Sequence, residues 1–223
     1  MKRTSYLPLS CAILLLVMFV LWTALISFVD VRAVGPEGSE VGFAGFNTAF
    51  HELTGVHMGL YTATDWLGLV PFAVVFGFAL LGLWQWIQRK SLRKVDRSIL
   101  VLGSFYIAVM AAYLFFEVFV INYRPILIEG VLEASYPSST TMLALSVMPT
   151  AILQLKGRIK NSAVRWAVIG LIAAFTAFMV IGRLLSGVHW VTDIIGGALL
   201  SSGLVMLYYG VNALLEKRGN TVV

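Results

Sequence analysis

Six stretches of this chain reach or approach the roughly 20 mostly apolar residues that cross the hydrocarbon of a bilayer. They run at about Tyr6–Val29, Trp66–Ile87, Ile99–Ile121, Thr140–Leu155, Val164–Leu185 and Trp190–Leu215. A water-soluble domain of 223 residues has no way to hide them, because 59% of the chain is hydrophobic and 12% charged, against roughly 45–50% and about 25% in ordinary globular domains. The expected fold is all-α, an integral membrane bundle of six transmembrane helices in a single membrane-embedded domain spanning residues 1–223. The fourth stretch is the shortest and carries Pro149, so a kink or tilt is expected there. Disordered chains and soluble nucleic-acid binders are excluded by the same composition, despite a net charge of +5. The single cysteine, Cys11, permits no internal disulfide.

The basic residues orient the spans. Thirteen of the 16 lysines and arginines fall on one side: Lys2 and Arg3, the group from Arg89 to Arg97, the group from Lys156 to Arg165, and Lys217 with Arg218. The positive-inside rule makes that side cytoplasmic and puts both termini there. The opposite side holds Arg32, Arg124 and Arg183 together with all three histidines, His51, His57 and His189. Lys2 and Arg3 ahead of an apolar run also begin a secretory signal, and Val31-Arg32-Ala33 loosely resembles a cleavage site. The apolar core exceeds the roughly 7–15 residues of such signals, so the helix is expected to be retained. Residues 30–64 form the long extracytoplasmic connection, glycine-rich with Phe43, Phe46 and Phe50 interleaved, and a short interfacial helix is expected around Thr48–Leu53.

Polar chemistry gathers in three clusters at the extracytoplasmic boundary. The first ends in Asn122-Tyr123-Arg124-Pro125, the second is Tyr136-Pro137-Ser138-Ser139-Thr140-Thr141, and the third runs from Gly182-Arg183 to His189 and Asp193. His189 and Asp193 stand four residues apart at a helix start, so they share a face. The carboxylate can accept a hydrogen bond from one imidazole nitrogen and leave the other with an outward lone pair, the arrangement a histidine nucleophile or base needs. A structural polar pair is the competing reading. An acid inside a membrane costs about 2.5–3.5 kcal/mol on insertion scales, which favours function. Arg124 and Arg183 carry planar forks of donors that suit phosphate oxygens, although singly each could snorkel to headgroups. Ser138, Ser139 and Thr140 lead into a helix, where hydroxyls cap free amides and an anion site can form; Pro137 restricts how the loop enters it.

These clusters resemble the type 2 phosphatidic acid phosphatase family of membrane lipid phosphatases, whose pattern is KxxxxxxRP, PSGH and SRxxxxxHxxxD. Here the blocks read EVFVINYRP, PSST and GRLLSGVHWVTD, within a motif-bearing core of about residues 99–215. The resemblance implies that His189 attacks phosphorus and carries a transient phosphohistidine, that Asp193 orients it, and that Arg124 and Arg183 hold the phosphoryl oxygens with help from Ser138. It implies no metal and no cofactor. Three positions depart from the pattern: Glu117 replaces lysine, Thr140 replaces histidine and Gly182 replaces serine. Glu117 lies two helical turns before Arg124 and is expected to ion-pair with an arginine. Thr140 is too weak an acid to protonate an alkoxide, which would slow such a reaction by about 10²–10⁴-fold. A lipid diphosphate, for instance an isoprenoid diphosphate, releases a better leaving group and is the favoured substrate; His51 or His57 is an alternative proton source.

The expected function is therefore an integral membrane phosphatase acting on a lipid phosphate or diphosphate at the extracytoplasmic face of the plasma membrane. Its partners are the bilayer and a lipid substrate, with no nucleic acid. The alternatives are a catalytically impaired relative that binds phospholipid headgroups and a lipid phosphotransferase on the same scaffold. A small transporter fits worst, because most ionisable side chains sit near the ends of spans. Gly196 and Gly197 leave oligomeric state open, since small residues also allow close packing within one bundle.

Overall fold

The computed structural model describes residues 6–219, with the side chains of residues 216–219 left out, so Lys2, Arg3, Lys217 and Arg218 fall outside the described groups. Eight α-helices occur among the described residues: α1 Leu7–Phe28, α2 Ala44–Thr54, α3 Met58–Leu67, α4 Leu69–Arg89, α5 Arg97–Val118, α6 Ser139–Arg158, α7 Ser162–Leu185 and α8 Val191–Gly219. Outside them, pairing is limited to three isolated β-bridges. Among the described residues, five stretches are long and apolar enough to cross a membrane: α1, α3 with α4, α5, α7 and α8 as far as Leu215. Their large apolar side chains, such as Ile13, Phe76, Ile107 and Leu171, face outward as a lipid-exposed bundle requires. The chain is a multi-pass membrane protein.

The fourth expected span, α6, is a 20-residue helix but falls short of the apolarity of the other five. It is instead among the most enclosed helices, with Thr140, Thr141, Ser146, Thr150 and Gln154 buried beside Met142, Val147 and Met148. Packing between α4, α5, α7 and α8 removes the need for an apolar lipid face. Its hydroxyls turn inward: Thr150 donates to the carbonyls of Ser146 and Val147, both at 2.9 Å. Pro149 lies inside α6 without ending it. Ser138 caps its start, and Asn161 caps α7, accepting from Val164 N–H at 3.1 Å.

The last helix, α8, lies against α1, α5 and α6. Trp22 of α1 donates its indole N–H to the Thr192 carbonyl at 3.1 Å, and Ser201 of α8 donates to the Met142 carbonyl of α6 at 3.1 Å. The apolar core joins Phe19 and Ile26 of α1, Leu102 and Phe105 of α5, Met142 of α6 and Leu200 of α8.

Two expectations about the long connection are revised. The short helix expected at Thr48–Leu53 is the longer α2, and a second helix, α3, follows it and meets α4 at Gly68. The mixed sequence Met58–Leu67 has no continuous apolar stretch, so hydropathy alone leaves it in the loop; packing on α7 makes it a helix. The third span also ends earlier than Ile121, at Val118, because the chain beyond it turns into a hairpin.

Candidate active site

The hairpin after α5 organises the site. Tyr123 and Ala134 form an antiparallel bridge, Ser135 N–H donates to the Asn122 carbonyl at 2.9 Å, and Arg124 N–H donates to the Glu133 carbonyl at 3.1 Å. Ile128 and Val131 exchange backbone hydrogen bonds around Glu129 and Gly130, both at positive φ, which matches the twist a two-residue hairpin turn needs. Side chains alternate across such a ribbon, so Asn122, Arg124, Glu133 and Ser135 share one face. That face is turned to the start of α8, and Trp190 pins it by donating its indole N–H to the Tyr123 carbonyl at 2.8 Å.

His189 and Asp193 sit at the start of α8, both buried. The direct imidazole–carboxylate bond expected from their spacing is replaced by a bridge. Ser135 Oγ lies 2.8 Å from His189 Nδ1 and donates to Asp193 Oδ2 at 2.6 Å. Asp193 also accepts from Asn122 Nδ2 at 3.1 Å and from the Trp190 backbone N–H at 3.0 Å. The hairpin thus inserts a hydroxyl where i and i+4 side chains would otherwise meet. His189 Nε2 is buried and has no protein hydrogen-bond partner. Burial, and then the positive charges of Arg124 and Arg183, hold the His189 pKa well below its ordinary 6.5.

Arg183 rises from the last turn of α7 and is 1% exposed. Helix α3 receives it: Nη1 donates to Thr64 Oγ1 at 3.2 Å, and Nη2 lies 3.3 Å from Asp65 Oδ1. Its guanidinium lies over the Tyr61 ring at 4.8 Å from the centroid, and that of Arg124 stands 5.9 Å from the same ring. Tyr61 is therefore a shared aromatic floor for two cations. Arg183 Nε and Arg124 Nη1 are buried without protein partners. The chain from Arg183 to His189 turns at Gly187, where φ is +69° and an added Cβ would lie 2.1 Å from the Gly55 carbonyl oxygen. That close approach ties the site to the α2–α3 connection, and His57 N–H donates across it to the Ser186 carbonyl at 2.9 Å.

The remaining candidate residues divide by location. Ser138 is fully buried; its hydroxyl accepts from Thr141 N–H and its own N–H donates to the Asp193 carbonyl at 3.1 Å, which fixes the start of α6 against α8. Thr140 is buried in the first turn of α6. Ser139, Pro137, Ser135, Glu117 and His189 together line a crevice of about 10 Å³, close to the volume one water needs. The ion pair expected between Glu117 and an arginine does not form. Arg124 instead has Glu133 at 3.0 Å, because the hairpin places that residue directly opposite. His57 points back to the Thr54 carbonyl at 2.9 Å, and His51 packs its ring 5.6 Å from that of Trp190. Ser135, Glu133, Tyr61, Thr64 and Asp65 lie outside the sequence clusters, and Asn122 lies in the first of them without an assigned role. Asn122 and Ser135 stand two residues before Arg124 and three before Ser138, so the neighbourhood was visible but the hairpin register was not.

Fold and site together define a helical membrane protein with a buried histidine and two guanidinium groups beneath one end of its bundle. The chain belongs to the PAP2 superfamily, whose profile matches residues 72–215. That segment contains the hairpin, α6 and the His189 region, but not Tyr61, Thr64 or Asp65 of α3. The crystal structure of a transmembrane PAP2-type phosphatidylglycerolphosphate phosphatase from Bacillus subtilis shares the fold, with a TM-score of 0.53 over 93% of this chain and 96% of that one at 20% identity. Among curated proteins, none matches this chain.

Proposed function

We propose that this protein is an integral membrane lipid phosphatase that hydrolyses a lipid phosphate or diphosphate through a phosphohistidine on His189. The observation that carries this reading is the buried, unpaired Nε2 of His189 in the electrostatic reach of two guanidinium groups that themselves keep unpaired buried N–H atoms. Unpaired buried donors are costly, and a phosphoryl group supplies the acceptors they lack. Nε2 attacks phosphorus and the leaving oxygen departs with the bonding pair. Arg124 and Arg183 stabilise the charge on the equatorial oxygens, with the first turn of α6 at Ser138, Ser139 and Thr140 beside them. Water then breaks the phosphorus–nitrogen bond and releases inorganic phosphate. None of these steps calls on a metal.

Thr140 stands where the family pattern has histidine, so a leaving group that departs unprotonated is favoured, and the substrate class is a lipid diphosphate. In the topology proposed here α6 is a sixth span enclosed by the others, both termini are cytoplasmic, and the site opens at the extracytoplasmic face of the plasma membrane. The basic end of the bundle, where Arg89 and Arg158 meet Asp96 at 2.8 and 3.5 Å, supports that orientation.

Purified protein in detergent with a chelator is expected to release phosphate from lipid diphosphates faster than from monophosphates, and His189→Ala is expected to abolish release. Activity that persists in His189→Ala overturns the nucleophile assignment. A second reading, a phospholipid-binding relative with impaired catalysis, is favoured by Glu117, which lines the same crevice as His189. It predicts retention of lipid phosphates with no release.

A further inference from the structure

We propose that Ser135 is a positioning residue that sets the tautomer of His189, a role that the family motifs leave to the aspartate alone. Three buried side chains, Asp193, Ser135 and His189, share a small number of protons. Asp193 is fully buried and has three donors directed at its two oxygens: Asn122 Nδ2 on Oδ1, and Ser135 Oγ and the Trp190 N–H on Oδ2. Three donors on one carboxyl group match an ionised acceptor, whose two oxygens offer about four lone-pair sites and no hydrogen to give. Ser135 has one hydroxyl hydrogen, and the 2.6 Å contact assigns it to Asp193. Towards His189, only a lone pair remains on Oγ. The 2.8 Å contact to Nδ1 must therefore be made by a hydrogen on Nδ1. A neutral imidazole carries one such hydrogen, so Nε2 holds its lone pair, and Nε2 is the nitrogen left without a protein partner.

The hydroxyl is held for this purpose by backbone, not by its own flexibility. Ser135 N–H is bonded to the Asn122 carbonyl at 2.9 Å, and Asn122 in turn reaches Asp193, so one rung of the hairpin carries both polar contacts to the carboxylate. Ser135 itself is 3% exposed. Removing the hydroxyl takes away the acceptor of Nδ1–H and leaves the Ser135 backbone as the remaining partner of the ring, with the carboxylate still held by two other donors. The Nε2–H tautomer then becomes competitive, and that form has no lone pair for phosphorus. The chain also accommodates the charge formed on attack. As the Nε2–P bond forms and the P–O bond breaks, the electron pair leaves on the lipid phosphate oxygen and the ring becomes cationic. Its Nδ1 proton stays in place, and Ser135 passes the attraction of Asp193 to it. When water displaces Nε2, the electron pair of the P–N bond returns to the ring and no proton has had to cross the site.

The proposal rests on the reading of His189 as the nucleophile, and two measurements separate their failures. The chain contains three histidines, so ¹⁵N spectra of the full-length, histidine-labelled protein in detergent are simple to assign with His51→Gln and His57→Gln. Wild type is expected to show His189 protonated at Nδ1 and unprotonated at Nε2 at neutral pH. Ser135→Ala is expected to show a mixture including Nε2–H, with kcat lowered about 10–100-fold, by analogy with the loss of partners that orient metal-bound histidines, and KM within about twofold. Ser135→Thr keeps the hydroxyl and is expected to restore both the tautomer and most of kcat. A pure Nδ1–H signal in Ser135→Ala, or a folded Ser135→Thr no better than Ser135→Ala, overturns the proposal. If His189→Ala keeps its activity, the nucleophile reading falls, while the tautomer in wild type and Ser135→Ala still decides the role of Ser135.

Discussion

Burying an imidazole within electrostatic reach of two cations makes its protonation a property of the fold. An unfolded chain binds a proton at His189 below about pH 6.5, whereas the folded protein resists until well below that value, first through burial and then through Arg124 and Arg183. At this site the unfolded state therefore binds more protons in this window, and the contribution of His189 to stability falls as pH drops below 6.5, by up to about 1.4 kcal/mol per pH unit. Thermal unfolding in detergent at pH 7.5 and 5.0 checks this: the loss on acidification is expected to be larger in wild type than in His189→Gln, and an equal loss contradicts it. At this scale the spacing of His189 and Asp193 was legible, because four residues is one helical turn. Ser135 was not, since it reaches them from 54 residues away through a hairpin whose register no local pattern announces. The expected pair of Glu117 with an arginine fails for the same reason: the helix ends at Val118, so helical spacing does not extend from Glu117 to Arg124.

Among the helices, the close approach of α3 to α7 decides how Arg183 is held. A Cβ on Gly182 would lie 2.9 Å from Thr64 Cγ2, so the glycine at the position where the family pattern has serine makes room for α3. Thr64 cannot simply rotate away, because its hydroxyl accepts from Arg183 and donates to the Leu60 carbonyl at 2.7 Å. Gly182→Ser is therefore expected to lower thermal stability by about 1–3 kcal/mol, the range of overpacked sites, and to weaken activity by releasing Arg183. Adding Thr64→Ala to Gly182→Ser is expected to recover the stability but not the activity; unfolding curves and phosphate release of the two variants test both parts. The sequence marked Gly182 as a departure without a reason. The reason lies in α3, whose polar and apolar residues do not form a span-like pattern and whose partner is distant in the chain.

Over the whole molecule, two ends of unlike chemistry follow from how the helices stack. The site end gathers the hairpin, α3 and the starts of α6 and α8, while at the far end Asp96 joins Arg89 of α4 and Arg158 of α6. A fluorescent protein fused after Val223 is expected to fluoresce inside intact cells, and alkaline phosphatase fused there is expected to be inactive. The reverse pair of results would invert the proposed orientation. An accessible reporter placed in the hairpin turn at Glu129–Gly130 is expected to label from outside only, which checks the same topology from the other end.

What the sequence determined by itself was the solvent this protein folds in, the position of most of its helices and the residue types of its chemistry, because length, apolarity and helical spacing are local quantities. The enclosure of α6, the existence of α3 and the serine between His189 and Asp193 came only with tertiary structure. Each depends on which distant segment lies alongside: neighbours that cover a polar helix, a helix that stabilises another by packing, and a ribbon rung that delivers one hydroxyl between two side chains of α8's first turns. Contacts of that kind are set by three-dimensional register, and a one-dimensional pattern does not encode them in any single stretch of chain.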